Sequence, residues 1–180
     1  MLSDKDIKKL AKSKELVYPL RDDCLQPASY DVHLGPYFLN TKTGERHVAW
    51  GARSEFILPP HELWLGVTLE KFSLPANIAA QIEGRSSWGR LGLLTHITAG
   101  FIDPGFSGHV TLELYNVNAY PLVLPTVFDL LLDSTGVEPI AQVSFMKLSS
   151  KAKEPYSVKG HYRNPVGPQL SRLKGCVKKQ

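Results

Sequence analysis

Glycine and proline interrupt this chain every few residues, and that spacing limits what the chain can fold into. The sequence holds 14 Gly and 13 Pro, spread along its length without collecting in one linker. Such residues end helices, whereas they suit the turns that join short strands. The pattern therefore predicts a mainly β fold, a sandwich or a barrel. The expected strands are the apolar runs between these residues, at 30–34, 37–39, 55–58, 63–69, 78–83, 93–98, 109–115, 121–124 and 140–146.

The two ends of the chain differ from this pattern. Residues 3–11 predict the one clear helix, because Ser3 can cap its start and apolar residues then recur on one face. From residue 149 onward the chain is polar and rich in Lys, Gly and Pro, which is typical of an extended tail. For these 180 residues we expect a β domain over 1–148 and a flexible C-terminal tail over 149–180.

Composition excludes several classes of protein. The two cysteines, Cys24 and Cys176, cannot form a disulfide framework, and they have no C-x-x-C metal spacing. They indicate a reducing compartment. The six histidines do not pair with cysteine at ligand spacing, so neither a structural zinc nor the H-x-E…P-C-x-x-C signature of zinc-dependent nucleobase deaminases is expected.

Charge and hydropathy narrow the choice further. No apolar stretch approaches the length of about 18 residues that a membrane helix needs, and the charged start predicts no signal peptide. We expect a cytoplasmic protein with no membrane partner. The net charge of +4 suits an anionic ligand but is too small to indicate nucleic acid.

One polar cluster, residues 83–92, could bind phosphate. It contains Arg85, Ser86, Ser87 and Arg90 together with three glycines. Arginine forks, hydroxyls and accessible backbone N–H groups are the donors that phosphate oxygens need. The alternative is a basic surface turn, and the residues alone leave both open.

Two carboxylates follow this cluster. Asp103 precedes Pro-Gly, so it either caps a tight turn or accepts a hydrogen bond from a sugar or water, with Phe101 and Ile102 excluding solvent. In the run 109–115, alternation places Glu113 on the polar face of a half-buried strand. There it is either a solvated surface group or a general base.

Taken together, these motifs resemble the dCTP deaminase branch of the dUTPase superfamily. The resemblance covers residues 2–125 and about 140–172. It is carried, in this order along the chain, by Gln26-Pro27-Ala28-Ser29-Tyr30-Asp31-Val32-His33-Leu34-Gly35, Glu83-Gly84-Arg85-Ser86-Ser87, Arg90-Leu91-Gly92-Leu93 and the block Thr98–Glu113.

The resemblance implies a distorted dUTPase-like β-barrel that assembles as a homotrimer, with active sites between subunits. It implies hydrolytic deamination of dCTP without zinc, with Mg²⁺ carried by the triphosphate and no metal held by side chains. Water attacks C4 of cytosine and ammonia leaves, so a protein group must take the proton of water and return it. The resemblance also raises dTTP as a possible inhibitor.

Residue by residue, the match assigns Glu113 as the proton shuttle. Ser86 and the carbonyl of Ala99 hold the water, Arg90 is the cation beside the carboxylate, and Asp103 holds the 3′-hydroxyl of the deoxyribose. The other expected contacts with the substrate, several of them to its phosphates, are Arg85, Ser87, Ile97, Phe101, Tyr156, His161 and Arg163.

Within this family, Ala99-Gly100-Phe101 resembles the bifunctional enzymes, which also hydrolyse dUTP to dUMP and pyrophosphate. There Asp103 would help to activate a second water. Deamination alone, with release of dUTP, is the alternative. A pure dUTPase is disfavoured by the deaminase set around Glu113, and a non-catalytic nucleotide-binding regulator is disfavoured because Ser86 and Arg90 are present.

The chain also departs from the family pattern. About eleven extra residues, within 126–137, follow Pro125 and could form a surface loop, a subunit contact or a regulatory element. His161 stands where a lysine is usual, and Pro165 where a glutamine is usual. Both positions contact phosphates in relatives, and Arg163 is one residue that could compensate.

Overall fold

The structure of the chain is a computed structural model, and it describes residues 1–13, 16–51, 53–127, 136–163, 165 and 167–173. Strands dominate it. They are β1 (Leu16–Tyr18), β2 (Leu25–Gln26), β3 (Ser29–Val32), β4 (Tyr37–Asn40), β5 (Arg46–Val48), β6 (Arg53–Leu58), β7 (Leu63–Ser73), β8 (Ile78–Gly84), β9 (Leu93–Thr95), β10 (Phe101–Ile102), β11 (Ser107–Asn116), β12 (Leu122–Val127) and β13 (Ala141–Lys147). The helices are short: α1 (Asp4–Lys12), α2 (Ser86–Arg90), α3 (Tyr156–Lys159) and a 3₁₀ turn at Asp22–Cys24.

The sequence pattern anticipated most of these elements. Each expected apolar run overlaps a strand, and the expected helix is α1, so the prediction of a mainly β fold is confirmed. Ser3 occupies the start of α1, but its hydroxyl bonds Asp6 Oδ2 at 3.4 Å and not the helix backbone. β12 continues to Val127, so the expected insertion begins inside a strand, and residues 128–135 lie outside the described part.

Within the described residues, all strand pairs are antiparallel, and they form three sheets. The larger sheet has the order β5-β4-β7-β11-β9, and β1 also pairs with β7. The second has the order β10-β8-β13-β3-β2, and β12 pairs with β6 in a two-stranded ribbon. In the described part of the chain, no helix is both long and apolar enough to cross a membrane.

Apolar side chains from all three sheets and from α1 form one core. Phe56 of the ribbon stacks on Phe38 of β4 with ring centres 3.8 Å apart and meets the ring of Trp64 in β7. This aromatic cluster packs the ribbon against the larger sheet. The largest fully buried side chains include Tyr30, Phe38, Phe72, Phe145, Ile7 and Leu16.

A buried polar pair joins the two larger sheets where the chain leaves β3. The carboxylate of Glu70 in β7 accepts the backbone N–H of His33 at 2.9 Å and lies 2.8 Å from His33 Nδ1. The two side chains are only 1% and 3% exposed. Leu69 N–H donates to the carbonyl of His33 and Gly35 N–H to that of Val67, so residues 33–35 are bonded along β7.

The same region sets the register of β11. Thr68 Oγ1 donates to the carbonyl of Glu70 and accepts the N–H of Val110, while His109 Nδ1 lies 3.0 Å from the carbonyl of Thr68. The pairing of β11 with β7 shifts register between His109 and Thr111. Such a bulge re-aims the residues beyond it, and Glu113 is one of them.

We predict that Glu70→Ala destabilises the fold strongly. It leaves the backbone N–H and Nδ1 of His33 buried without their partner, and breaking a buried pair in this way costs about 3–5 kcal/mol. Urea unfolding followed by tryptophan fluorescence at fixed protein concentration measures this change. Glu45→Ala, at an exposed carboxylate, is the control and should change stability by less than about 0.5 kcal/mol. A loss below about 1 kcal/mol for Glu70→Ala would contradict the assignment.

Candidate active site

A cavity of about 530 Å³ lies over the polar face of β11, and we call it the main cavity. Strands β7 and β11 supply one wall, together with Thr41 just after β4: Leu63, Leu65, His109, Val110, Thr111 and Glu113. The segment before β11 supplies another: His96, Ala99, Phe101, Ile102, Asp103 and Phe106. The C-terminal segment closes it with Tyr156, Tyr162, Pro165, Gln169, Leu170 and Ser171.

Glu113 is held in this cavity by the backbone beside it. Along β11 burial alternates strictly, so Leu112 and Leu114 enter the core and Glu113 lies half-buried on the other face. Its Oε2 accepts the N–H of Ile97 at 3.1 Å. A carboxylate can accept about four hydrogen bonds, so this contact orients Glu113 and leaves most of its accepting capacity for a ligand or water.

The segment 96–100 is bonded on both sides. His96 N–H donates to the carbonyl of Glu113 at 2.7 Å, and Ile82 N–H donates to that of Gly100 at 2.8 Å. A Cβ at Gly100 would lie 2.6 Å from the carbonyl oxygen of Ile82, so this close approach requires glycine. The segment is therefore fixed to β11 and to β8.

The ring of His96 bonds the carbonyl of Ala99, with Nε2 and the oxygen 2.7 Å apart. Because a carbonyl only accepts, Nε2 carries the proton. Nδ1 is buried without a partner among the described residues. A carbonyl oxygen has two lone pairs, so that of Ala99 can still accept a hydrogen bond from water on its cavity side.

Asp103 lies in a tight turn and lines two cavities at once. Phe106 N–H donates to the carbonyl of Asp103, and Gly105 has a φ of +84°, as the third position of such a turn requires. Ile102 is buried, whereas Phe101 and Asp103 are exposed, so Phe101 does not shield the carboxylate within a single chain. The turn and the ligand-binding interpretations of Asp103 are thus compatible.

The second cavity, of about 260 Å³, adjoins the main cavity and shares Asp103 and Tyr156 with it. Lys159 and His161 also line it, and Lys159 pairs with Glu154. Arg163 is exposed, and its Nη1 donates to the carbonyl of Ser157 at 3.4 Å.

The C-terminal segment packs on the turn and on β11 mainly through its backbone and rings. Tyr156 N–H donates to the carbonyl of Pro104, and the ring of Tyr156 lies 5.6 Å from that of Phe106. Its hydroxyl accepts the N–H of Tyr162 at 3.0 Å. Further along, the carbonyl of Pro165 accepts the N–H of His109 at 3.1 Å, so Pro165 is a packing residue here.

The polar turn on α2 lies apart from this cavity. Ser86, Ser87 and Arg90 are exposed, and none of them is among the described residues that line the main cavity. Trp88 anchors α2 by burying its ring and donating from Nε1 to the carbonyl of Pro139 at 2.9 Å. The structure of one chain therefore does not bring the serines and Arg90 to Glu113.

Arg85, at the start of α2, contacts two carboxylates. Its Nη1 lies 2.5 Å from Glu138 Oε1, and its Nη2 lies 3.7 Å from Asp31 Oδ2. Burial raises the pKa of the Asp31 carboxyl, although Arg85 and a hydrogen bond from Gln26 act in the opposite direction. The sequence does not predict Asp31 and Glu138 as neighbours of Arg85. Both lie far from Arg85 along the chain, and no local pattern links them to it.

The main cavity thus contains five of the predicted site residues: Glu113, Ala99, Asp103, Phe101 and Tyr156. It also contains His109 and Thr111, whose alternation with Glu113 was visible in the sequence. No sequence signal marked the wall from β7 and Thr41, or the left-handed His96, with its φ of +62°. No group of three or more His, Cys, Asp or Glu within the described ranges is placed to hold a metal ion.

Comparisons with known proteins agree with this architecture. Residues 1–127 match the family model described as dCTP deaminase-like. A protein of Dictyoglomus thermophilum named "dCTP deaminase, dUMP-forming" is 40% identical over 193 residues, covering 96% of this chain and 94% of its own. A protein of the same name from Leifsonia xyli subsp. xyli is 42% identical over 190 residues, covering 96% and 90%.

A solved structure is also similar. The crystal structure of 2′-deoxycytidine 5′-triphosphate deaminase from Agrobacterium tumefaciens matches with a TM-score of 0.63 at 19% identity. The match covers 80% of this chain and 46% of that one. At this identity the likeness concerns the fold alone.

We predict that Gly108→Ala releases the C-terminal segment from β11. Gly108 has a φ of +133°, and a Cβ there would lie 2.5 Å from Pro165 Cδ. The substitution is strained in itself and clashes with the docked proline. If the substitution lowers the free energy of local opening of the segment by about 1.4 kcal/mol, the open form becomes about ten times more populated. Trypsin should then cleave after Lys159 and Arg163 about tenfold faster.

The control is Gly167→Ala in the same segment, where a Cβ would meet nothing within 4 Å. Tryptophan fluorescence checks that both variants remain folded. Equal cleavage rates in folded Gly108→Ala and Gly167→Ala would show that docking of the C-terminal segment does not depend on the contact between Gly108 and Pro165.

Proposed function

The chain belongs to the dCTP deaminase-like family, and from this we propose that it deaminates dCTP and hydrolyses the product to dUMP and pyrophosphate. The relatives named above are dUMP-forming, which agrees with the bifunctional prediction made from Ala99-Gly100-Phe101. Nothing in the comparisons favours release of dUTP as the end product.

The observation that carries the proposal is the placement of Glu113. It is a half-buried carboxylate on a rigid strand, oriented by one backbone N–H and facing a cavity with room for a nucleotide base. General acid–base catalysis needs such a group within hydrogen-bond reach of the water that reacts. We assign Glu113 as the group that moves the proton.

The deamination can be followed through the protein's own groups. Water held by the carbonyl of Ala99 and the hydroxyl of Ser86 attacks C4 of cytosine while Glu113 takes its proton. Glu113 returns that proton to N3 of the base. It then moves the proton of the new C4 hydroxyl to the amine, so that the tetrahedral intermediate loses ammonia and leaves the C4 carbonyl of a uracil ring. Arg90 stabilises the charge that develops beside Glu113.

For these groups to meet, we propose that α2 of one chain reaches the main cavity of another within a homotrimer. Two observations support this arrangement. Ser86, Ser87 and Arg90 are exposed and lie outside the cavity of their own chain. Large apolar side chains are also exposed around α2 and the cavity rim: Leu91, Leu94, Ile97, Phe101, Val117 and Tyr120. Such surfaces mark sites of association. In this proposal the sheets of each chain form the walls of a distorted barrel, and three such chains associate.

The remaining matched residues would bind the rest of the nucleotide. Asp103 accepts a hydrogen bond from the 3′-hydroxyl. It also helps to orient the water that attacks the α-phosphorus, and pyrophosphate leaves from that phosphorus. Ile97 and Phe101 contact the base or sugar at the rim, and Tyr156 packs over the sugar. Cationic and polar groups take the phosphates: Arg85, Ser87, His161 and Arg163.

We propose that Mg²⁺ enters with the triphosphate. The ion prefers oxygen ligands and is usually held by substrate phosphates with few protein groups. The donor set fits this mode, since the described residues offer no three-ligand cluster of their own. When bound, the ion would offset part of the phosphate charge. On the protein side, Arg85 would add a positive charge and Ser87 a hydrogen-bond donor.

The product distribution tests the reaction. Incubation with dCTP and Mg²⁺, followed by separation of the nucleotides, should give dUMP, pyrophosphate and ammonia in equal amounts. Accumulation of dUTP would contradict the second step. Turnover of dCMP or dUTP without any reaction of dCTP would contradict the substrate assignment.

The role of Glu113 is tested separately. We predict that Glu113→Gln lowers the rate of ammonia release by about 100- to 10,000-fold, the range for loss of a general acid–base group. The dissociation constant for dCTP, measured by calorimetry, should change less than about threefold, because the amide keeps the size and the contact with Ile97. Glu45→Gln serves as the control and should behave as the unmodified protein. Retained deamination in Glu113→Gln would exclude it as the proton shuttle.

A further inference from the structure

We infer that Glu138 is an intramolecular competitor for Arg85, which occupies the guanidinium until a phosphate group of the nucleotide displaces it. The inference rests on the proposed role of Arg85 as a phosphate contact. It goes beyond that role by assigning Glu138 the task of setting how tightly phosphate binds. Glu138 follows directly after the extra residues that distinguish this chain from the family pattern.

The backbone on the C-terminal side of Glu138 is fixed against α2 and β3. The carbonyl of Pro139 accepts Trp88 Nε1–H at 2.9 Å and also Arg85 Nη1–H at 3.4 Å. Ile140 N–H donates to the carbonyl of Val32 at 2.8 Å. These bonds hold Glu138 beside the guanidinium, so its 2.5 Å contact with Arg85 is built into the local fold.

The two carboxylates around Arg85 differ in how easily they can leave. The side chain of Asp31 is 6% exposed and is bonded by Gln26, whereas that of Glu138 is 55% exposed. Arg85 itself is 28% exposed. Asp31 is therefore the permanent counter-ion that orients the guanidinium, and Glu138 is the exchangeable one.

Exchange of Glu138 for a phosphate costs little. An exposed ion pair contributes only about 0.2–1 kcal/mol, and the guanidinium remains paired throughout, because one anion replaces another. Phosphate oxygens suit the fork of Arg85 as well as a carboxylate does. Occupancy of the guanidinium by Glu138 therefore lowers the affinity of any ligand that uses Arg85.

A double-mutant cycle tests this competition. In Glu138→Gln, the KM for dCTP at fixed Mg²⁺ should fall about two- to fivefold, as an exposed pair of this strength implies, with kcat changed less than twofold. In the background of Arg85→Gln, the same change at Glu138 should have no effect on KM. Glu45→Gln removes an equal charge elsewhere and should leave KM unchanged.

An unchanged or raised KM in folded Glu138→Gln would overturn the inference. An equal fall in KM with and without Arg85 would also overturn it, because the effect would then be general electrostatics. Calorimetric titration with inorganic tripolyphosphate separates the inference from the proposed function. If dCTP is not turned over, the proposed function fails. A gain in tripolyphosphate affinity in Glu138→Gln that requires Arg85 would still support competition between Glu138 and phosphate, and no such gain would overturn it.

Discussion

The contact between Glu70 and His33 is the constraint from which the rest of the structure follows. One buried carboxylate binds both the backbone and the ring of a residue 37 positions away, and so ties the end of β3 to β7. A buried acceptor is expensive to leave unpaired, so this contact fixes how the two larger sheets meet. Thr68, two residues before Glu70, then holds the bulge in β11 that sets the direction of Glu113.

Local patterns along the sequence predicted much of the fold. Alternation in 109–115 identified the buried and polar faces of β11 correctly, and the apolar runs located the longer strands. The short strands β1, β2, β5 and β10 carry too few residues to show a period, so they were missed. The family expected from the motifs is confirmed by the match of residues 1–127 to the family model. Those motifs could be identified from the sequence because they are short continuous stretches, which do not depend on how distant segments pack.

Contacts between distant segments could not be predicted in this way. The pairing of Arg85 with Glu138 joins residues 53 positions apart, and nothing in either neighbourhood indicates the other. The wall of the main cavity formed by Leu63 and Leu65 follows from sheet order, which the sequence pattern does not specify. The expected site residues fall into two sets on one chain, around Glu113 and on α2, and sequence order alone could not show that separation.

The apolar side chains exposed around α2 and the cavity rim also bear on how this protein is made in a cell. In a single chain, Leu91, Leu94, Ile97 and Phe101 face solvent. Exposed apolar surface of this kind promotes aggregation. A chain in which these side chains are left uncovered is therefore at greater risk of loss by aggregation than one in which another surface covers them.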